Sequence, residues 1–184
     1  MDSAVRAHLD AVCSGDKDAE NAAFTVLMEA TRAPVDWAYE AWDELVAMLR
    51  HKSNRVRAIA SQVLCGLAAS DPEARIVGNL DALLEVTRDE RFVTARHCLQ
   101  SLWKVGAAGE RQRGALVEGL RRRFAECASE KNCTLIRYDI IQALRKVYDA
   151  APDEAVSSTA QALIASEEDA RYRKKYAGVW KQPA

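Results

Sequence analysis

An apolar or small residue at i, i+4, i+8 and i+11 recurs along this chain at nearly regular intervals. It appears as Val56, Ala60, Leu64, Leu67, then as Thr94, Cys98, Leu102, Val105, and again as Ile136, Ile140, Leu144, Val147. A weaker copy is Ala19, Ala23, Leu27, Ala30. These offsets fall on one face of an α-helix, because a turn takes about 3.6 residues. The first positions, 19, 56, 94 and 136, lie 37, 38 and 42 residues apart. Intervals of that size mark a repeated pair of helices, whereas a coiled coil would need an unbroken heptad. The small residues Ala23, Ala60 and Cys98 at the second position let neighbouring helices approach closely.

A second amphipathic segment precedes each copy. These carry Val5, Leu9, Val12; Leu45, Val46, Leu49; Leu80, Leu83, Leu84; and Leu116, Val117, Leu120, Phe124. Ala33-Pro34 and Asp71-Pro72 put proline where a helix can begin, with Asp71 as N-cap. Ser14-Gly15 and the stretch from Gly106 to Gly109 stand where helices should stop. With only 8 Gly and 4 Pro, the chain lacks the turn residues of an all-β fold. The reading is an all-α chain of four helix pairs, residues 2–32, 34–69, 72–106 and 110–149, closed by a C-terminal cap at 153–177. The last part of that cap, EEDARYRKKYAGVWKQPA, is expected to fray. At 184 residues this makes one domain.

The stretch Val56-Arg57-x-x-Ala60-x-x-x-Leu64-x-x-Leu67 resembles the second helix of a HEAT repeat, and Ile136-Arg137 repeats its apolar–Arg pair. That resemblance covers roughly residues 2–149. It implies a right-handed α-α superhelix of the armadillo type, with second helices lining the concave surface. It also implies that Arg57 and Arg137 brace the turns by bonding an acidic residue or a carbonyl. The Ala-rich first copy reads as a terminal repeat, and Thr94-Ala95 replaces the apolar–Arg pair in the third.

Nothing in the chain carries the signature of a catalyst or a cofactor site. There is no glycine-rich phosphate loop, no G-x-S-x-G and no H-E-x-x-H, and His8, His51 and His97 lie in different repeats. Neither metal nor cofactor is expected. Five cysteines at 13, 65, 98, 127 and 133 form no C-x-x-C pair, a pattern of reduced thiols in a cytoplasmic protein. Cys127 and Cys133 read as two semi-buried thiols that become a redox pair only if their helices meet. The amino terminus lacks the apolar core of a secretory signal, and no run is long and apolar enough to span a membrane. Net charge is -1, yet residues 1–92 hold 10 Lys/Arg against 16 Asp/Glu and residues 93–184 hold 16 against 11. The two ends thus differ in sign, which steers partners without deciding the fold.

If i, i+4, i+8 and i+11 face the core, i+2, i+6 and i+9 face the concave side. Those positions hold Gln62 in the second repeat, Arg96, Gln100 and Trp103 in the third, and Tyr138, Gln142 and Arg145 in the fourth. Aromatic and guanidinium groups together are typical anchors of binding surfaces. The expected function is therefore a non-enzymatic scaffold, with Trp103 and Tyr138 anchoring a protein or peptide and Arg96 and Arg145 pairing its acidic groups. A C-terminal helix folded back over Trp103 would bury that site instead. A nucleic-acid-binding function is the alternative. The stretch Ala41-Trp42-Asp43-Glu44-Leu45-Val46 is similar to a Trp-Trp-Asp-Thr-Val-Asp segment of the HEAT-like alkylpurine DNA glycosylases, with Val46 in place of the catalytic Asp.

Overall fold

The computed structural model describes residues 1–181, and these are all-helical, with no strand among them. The end of the segment expected to fray, residues 182–184, lies outside the described residues. Several helices start where an aspartate can cap exposed N–H groups. Asp2 opens α1 (Ser3–Val12), and Asp16 accepts from the Asp18 and Ala19 amides to open α2 (Lys17–Ala30). Asp153 and Asp169 do the same for α10 (Glu154–Ala165) and α11 (Ala170–Val179). Between them run α3 (Ala38–Met48), α4 (Asn54–Leu67), α5 (Arg75–Val86), α6 (Phe92–Ser101), α7 (Trp103–Ala107), α8 (Glu110–Glu126) and α9 (Cys133–Ala150).

Two starts differ from expectation. Pro34 does not open α3, which begins at Ala38 after Trp37. Proline at position 72 does not open α5; the helix begins at Arg75, after Ala74 takes a left-handed φ of 56°. Asp71 still caps it from farther back, accepting from the Arg75 amide at 2.9 Å and the Ile76 amide at 2.8 Å. The Tyr39 hydroxyl donates to the same carboxylate at 2.7 Å, so this buried charge is fully engaged.

The helices pack in two layers. In one, α2, α4, α6, α9 and α11 contact each other in that order; in the other, α8 lies between α5 and α10. Within pairs, α1 packs on α2, α3 on α4, α5 on α6, and α8 on α9. The core lies between the layers, and the recurrent spacing builds it. All of Val56, Ala60, Leu64, Leu67, Thr94, Cys98, Leu102, Val105, Ile136, Ile140, Leu144 and Val147 are 2% exposed or less. Each large apolar member contributes roughly 1.5–3 kcal/mol of burial free energy as an upper figure. In the first copy only Ala23 and Leu27 are buried, since α2 has a layer neighbour on one side alone.

Turns are held by arginines, as the resemblance implied. Arg57 grips Asp89 through two bonds of 2.6 and 3.0 Å and donates to the His51 carbonyl at 2.7 Å. Arg137 reaches Glu167 at 2.9 Å and the Phe124 carbonyl at 3.2 Å. Close approach also has a sequence cause: a Cβ on Gly66 would lie 2.7 Å from the Thr31 Cβ, so only glycine lets α4 pass the end of α2.

Candidate functional site

The seven residues expected on one binding face are all at least partly exposed along α4, α6, α7 and α9. They do not form one surface. Arg96 turns to a partner inside the chain, donating from Nε and Nη2 to Asp139 at 2.7 and 2.9 Å. Gln100 adds a longer bond to the same carboxylate at 3.4 Å. Asp139 is wholly buried, and its hydrogen bonds hold the Arg96 guanidinium above its ordinary pKa. Arg96 and Gln100 therefore fasten α6 to α9, and Arg96 is not free to pair a partner's acid as expected.

Tyr138 and Gln142 meet each other, the amide donating to the phenol oxygen at 3.3 Å. Over them lies α11: Lys175 sits 4.7 Å from the Tyr138 ring centroid, and Tyr176 packs 6.4 Å away. Arg145 is paired with Asp149 and lies 5.8 and 5.4 Å from the Tyr148 and Trp180 ring centroids. The cap thus covers the fourth repeat's face, Tyr138 and Arg145 included. Among the described residues, none from α10 or α11 lines the pocket at Trp103. Gln62 bonds its own helix at the Ala58 carbonyl, 2.9 Å away. It lines a shallow groove of about 300 Å³ with Phe24, Ile59, His97 and the 66%-exposed Val93.

Trp103 stands at the start of α7. The third repeat's second helix breaks at Leu102, so α6 and α7 are separate. Ser101 Oγ donates to the His97 carbonyl at 2.9 Å, the back-bonding that bends helices. After the break, α7 packs on the end of α4. Trp103 then helps line a pocket of about 410 Å³ whose other walls include Gly66, Ala69 and Ala107. Two cations, Arg32 and Lys104, stand in that lining, and Lys146 approaches the Trp103 ring at 5.9 Å.

These cations are unequally satisfied. Arg32 pairs with Glu29 on its own helix at 3.0 Å. Lys104 has no carboxylate partner among the described residues. Burial pushes its ammonium below the ordinary value, and the nearby Arg32 charge adds to that. An apolar hollow of small residues, an indole wall and an unmatched cation can hold an apolar group joined to an anion. Sequence reasoning found Trp103 but missed Lys104, whose signal was a charge inside an otherwise apolar helix end. A larger groove of about 520 Å³ lies beside Leu49 and Val86, where Arg57–Asp89 and Arg88–Glu85 already match their charges.

The Ala41–Val46 stretch forms part of α3. Trp42 is 1% exposed, and its indole donates to Asn79 at 2.9 Å. Asp43 pairs with Arg75 at 3.1 Å and Glu44 with Arg6 at 2.6 Å, and neither carboxylate lines the pocket or the grooves described above.

No family model and no curated protein matches this chain. Among solved structures, an engineered protein crystallised by the Northeast Structural Genomics Consortium aligns with a TM-score of 0.55 at 16% identity, over 97% of this chain and 78% of its own. A second engineered protein from the same consortium aligns at 0.53 and 15% identity, over 97% of this chain and 47% of its own. At such identities the likeness concerns the fold alone.

Proposed function

We propose that this chain is a non-enzymatic binding module, a HEAT-like solenoid of the cytoplasm that captures a peptide segment of a partner protein. The anchor is an aliphatic or aromatic side chain seated against Trp103, and a neighbouring carboxylate of the peptide answers Lys104 and Arg32. What carries this reading is the unmatched Lys104 at an apolar pocket: a half-buried ammonium without a counter-ion gains most when an anion arrives. The recurrent spacing and the turn-bracing arginines support the HEAT-like assignment. The peptide surface is smaller than the one expected from sequence, because α11 takes the Tyr138 and Arg145 face.

The test is fluorescence anisotropy with labelled peptides in which Leu or Phe is flanked by Asp or Glu, against Asn/Gln versions of the same peptides. Tight binding of the acidic set, weakened at least tenfold by Trp103→Ala and by Lys104→Glu but unchanged by Arg145→Ala, is expected. Equal affinity of acidic and amide peptides, or affinity surviving both pocket substitutions, would sink the reading.

A second reading, nucleic-acid binding, draws on a different surface. Arg171, Arg173, Lys174 and Lys175 are exposed together on α11. It requires DNA or RNA binding that falls steeply with salt and weakens when these four become glutamine. Binding insensitive to salt would exclude it.

A further inference from the structure

The turn between α8 and α9 brings two cysteines together that the sequence leaves six residues apart. Cys127 Sγ lies 3.2 Å from Cys133 Sγ. The turn is held from several sides. Arg123, only 1% exposed, donates to Thr87 at 2.9 and 3.0 Å and reaches Glu130 through bonds of 2.6 and 2.8 Å. Glu130 in turn donates its amide to the Cys127 carbonyl at 2.8 Å. A disulfide is about 2.05 Å long, so the sulfurs need to close by roughly 1 Å. The two thiols are unlike: Cys127 is fully buried and Cys133 partly exposed at the start of α9. Among the described residues no cluster of three metal-binding side chains includes them, which favours thiol chemistry over chelation.

We propose that Cys127 and Cys133 are a reversible dithiol–disulfide couple oxidised by small disulfides of the glutathione type. The Cys133 thiolate attacks one sulfur of oxidised glutathione, forming a mixed disulfide and expelling one glutathione thiolate, which takes a proton from water. Cys127 gives its proton to solvent, attacks the Cys133 sulfur and expels the second glutathione thiolate, which is protonated in turn. Two protein thiols thus become one disulfide while one oxidised glutathione becomes two reduced ones. Burial, with Cys133 beside it, pushes the Cys127 thiol up to about 12, so Cys127 acts as the resolving partner and not as the first attacker.

The site is also wired to the cap. Arg137 donates to the carbonyl of Phe124, to which the Cys127 thiol also donates at 3.3 Å, and Arg137 grips Glu167 before α11. The Tyr176 hydroxyl of α11 donates to the Thr134 carbonyl at 2.9 Å, one residue beyond Cys133. Closing the sulfur pair therefore pulls on the contacts that seat α11.

The full chain is equilibrated in glutathione buffers of increasing oxidation, quenched with acid, denatured, alkylated and mapped by mass spectrometry. The five free thiols of the reduced chain are expected to fall to three, with one peptide pair joining Cys127 and Cys133 and short of two hydrogens. Cys13→Ser should leave that cross-link intact. Cys133→Ser should abolish it while Cys127 stays unmodified, and being partly exposed it tests the idea without emptying the core. Recovery of only a glutathione adduct on exposed Cys13, or of separate adducts on Cys127 and Cys133, would overturn the proposal.

Discussion

Arg96 and Lys104 stand eight residues apart on the same repeat, one on each side of the break at Leu102, and meet opposite fates. Arg96 finds a buried carboxylate 43 residues along the chain and holds it through both guanidinium edges. Lys104 enters a pocket of small residues, with an indole and a second cation and no carboxylate. A guanidinium matched in two directions serves to join helices; an ammonium left unmatched serves whatever comes from outside. The same contrast separates Arg57 and Arg137, both bound to acids, from Lys104. Charge alone therefore does not mark a binding residue in this fold; the absence of an internal answer does.

The largest expected effect comes from breaking the matched side. Arg96→Leu leaves Asp139 buried without its cation and should cost about 3 kcal/mol in urea unfolding. Adding Asp139→Leu removes the stranded charge and should recover most of that loss. A double substitution as unstable as the single one would show that the pair is not the fastening between α6 and α9.

Gly66→Ala acts on the pocket side. Its Cβ would press on the β-branched Thr31, which cannot rotate away, so a loss of about 2 kcal/mol is expected from overpacking, read as a lower urea midpoint. A neutral result would mean that the end of α2 yields and the pocket wall is soft.

The two sides were unequally legible in the sequence. The apolar positions of the second, third and fourth copies were legible because a helix repeats its faces with one fixed period, and burial follows the period. Arg57 and Arg137 were legible as braces through the resemblance of Val56-Arg57 and Ile136-Arg137 to the apolar–Arg pair of HEAT repeats. Two things were not. The period holds past Leu102, where Val105 is buried, but that Lys104 finds no carboxylate among the described residues depends on which elements pack around it, which spacing does not carry. The cover over Tyr138 depends on where α11 packs, a long-range matter. Asp139, lying between Ile136 and Ile140 on a core-facing stretch, was a readable signal: a carboxylate there requires a cation, and its partner had to come from a neighbouring helix.

Acid sharpens the matched side further. Burial raises the Asp89 carboxyl, but the Arg57 hydrogen bonds and the Arg91 amide outweigh it and leave it below its ordinary 3.8. A depressed carboxylate stabilises the fold above that value and ceases to do so as pH falls through the folded one. Between pH 5 and pH 3 the wild type should therefore lose on the order of 1 kcal/mol more than Arg57→Gln, in which the pair is already absent. Parallel acid profiles would show that Arg57 contributes through the His51 and Lys52 carbonyls alone.

Lys104 should give the smallest effect, with the opposite sign. Its ammonium is held below the ordinary 10.5 by burial and by Arg32, so the folded state disfavours the charge it carries at neutral pH. Lys104→Met keeps the stem's apolar contacts and removes the charge, and should raise stability by about 0.5 kcal/mol at pH 7. Because the cost of the charge disappears once the folded ammonium deprotonates, the gap between variant and wild type should close as pH rises toward 10.5. The same substitution should weaken the acidic peptides. A residue whose removal stabilises the fold and damages binding is one retained for its partner; a Lys104→Met protein that is less stable, or that binds as before, would place Lys104 with the fastening arginines instead.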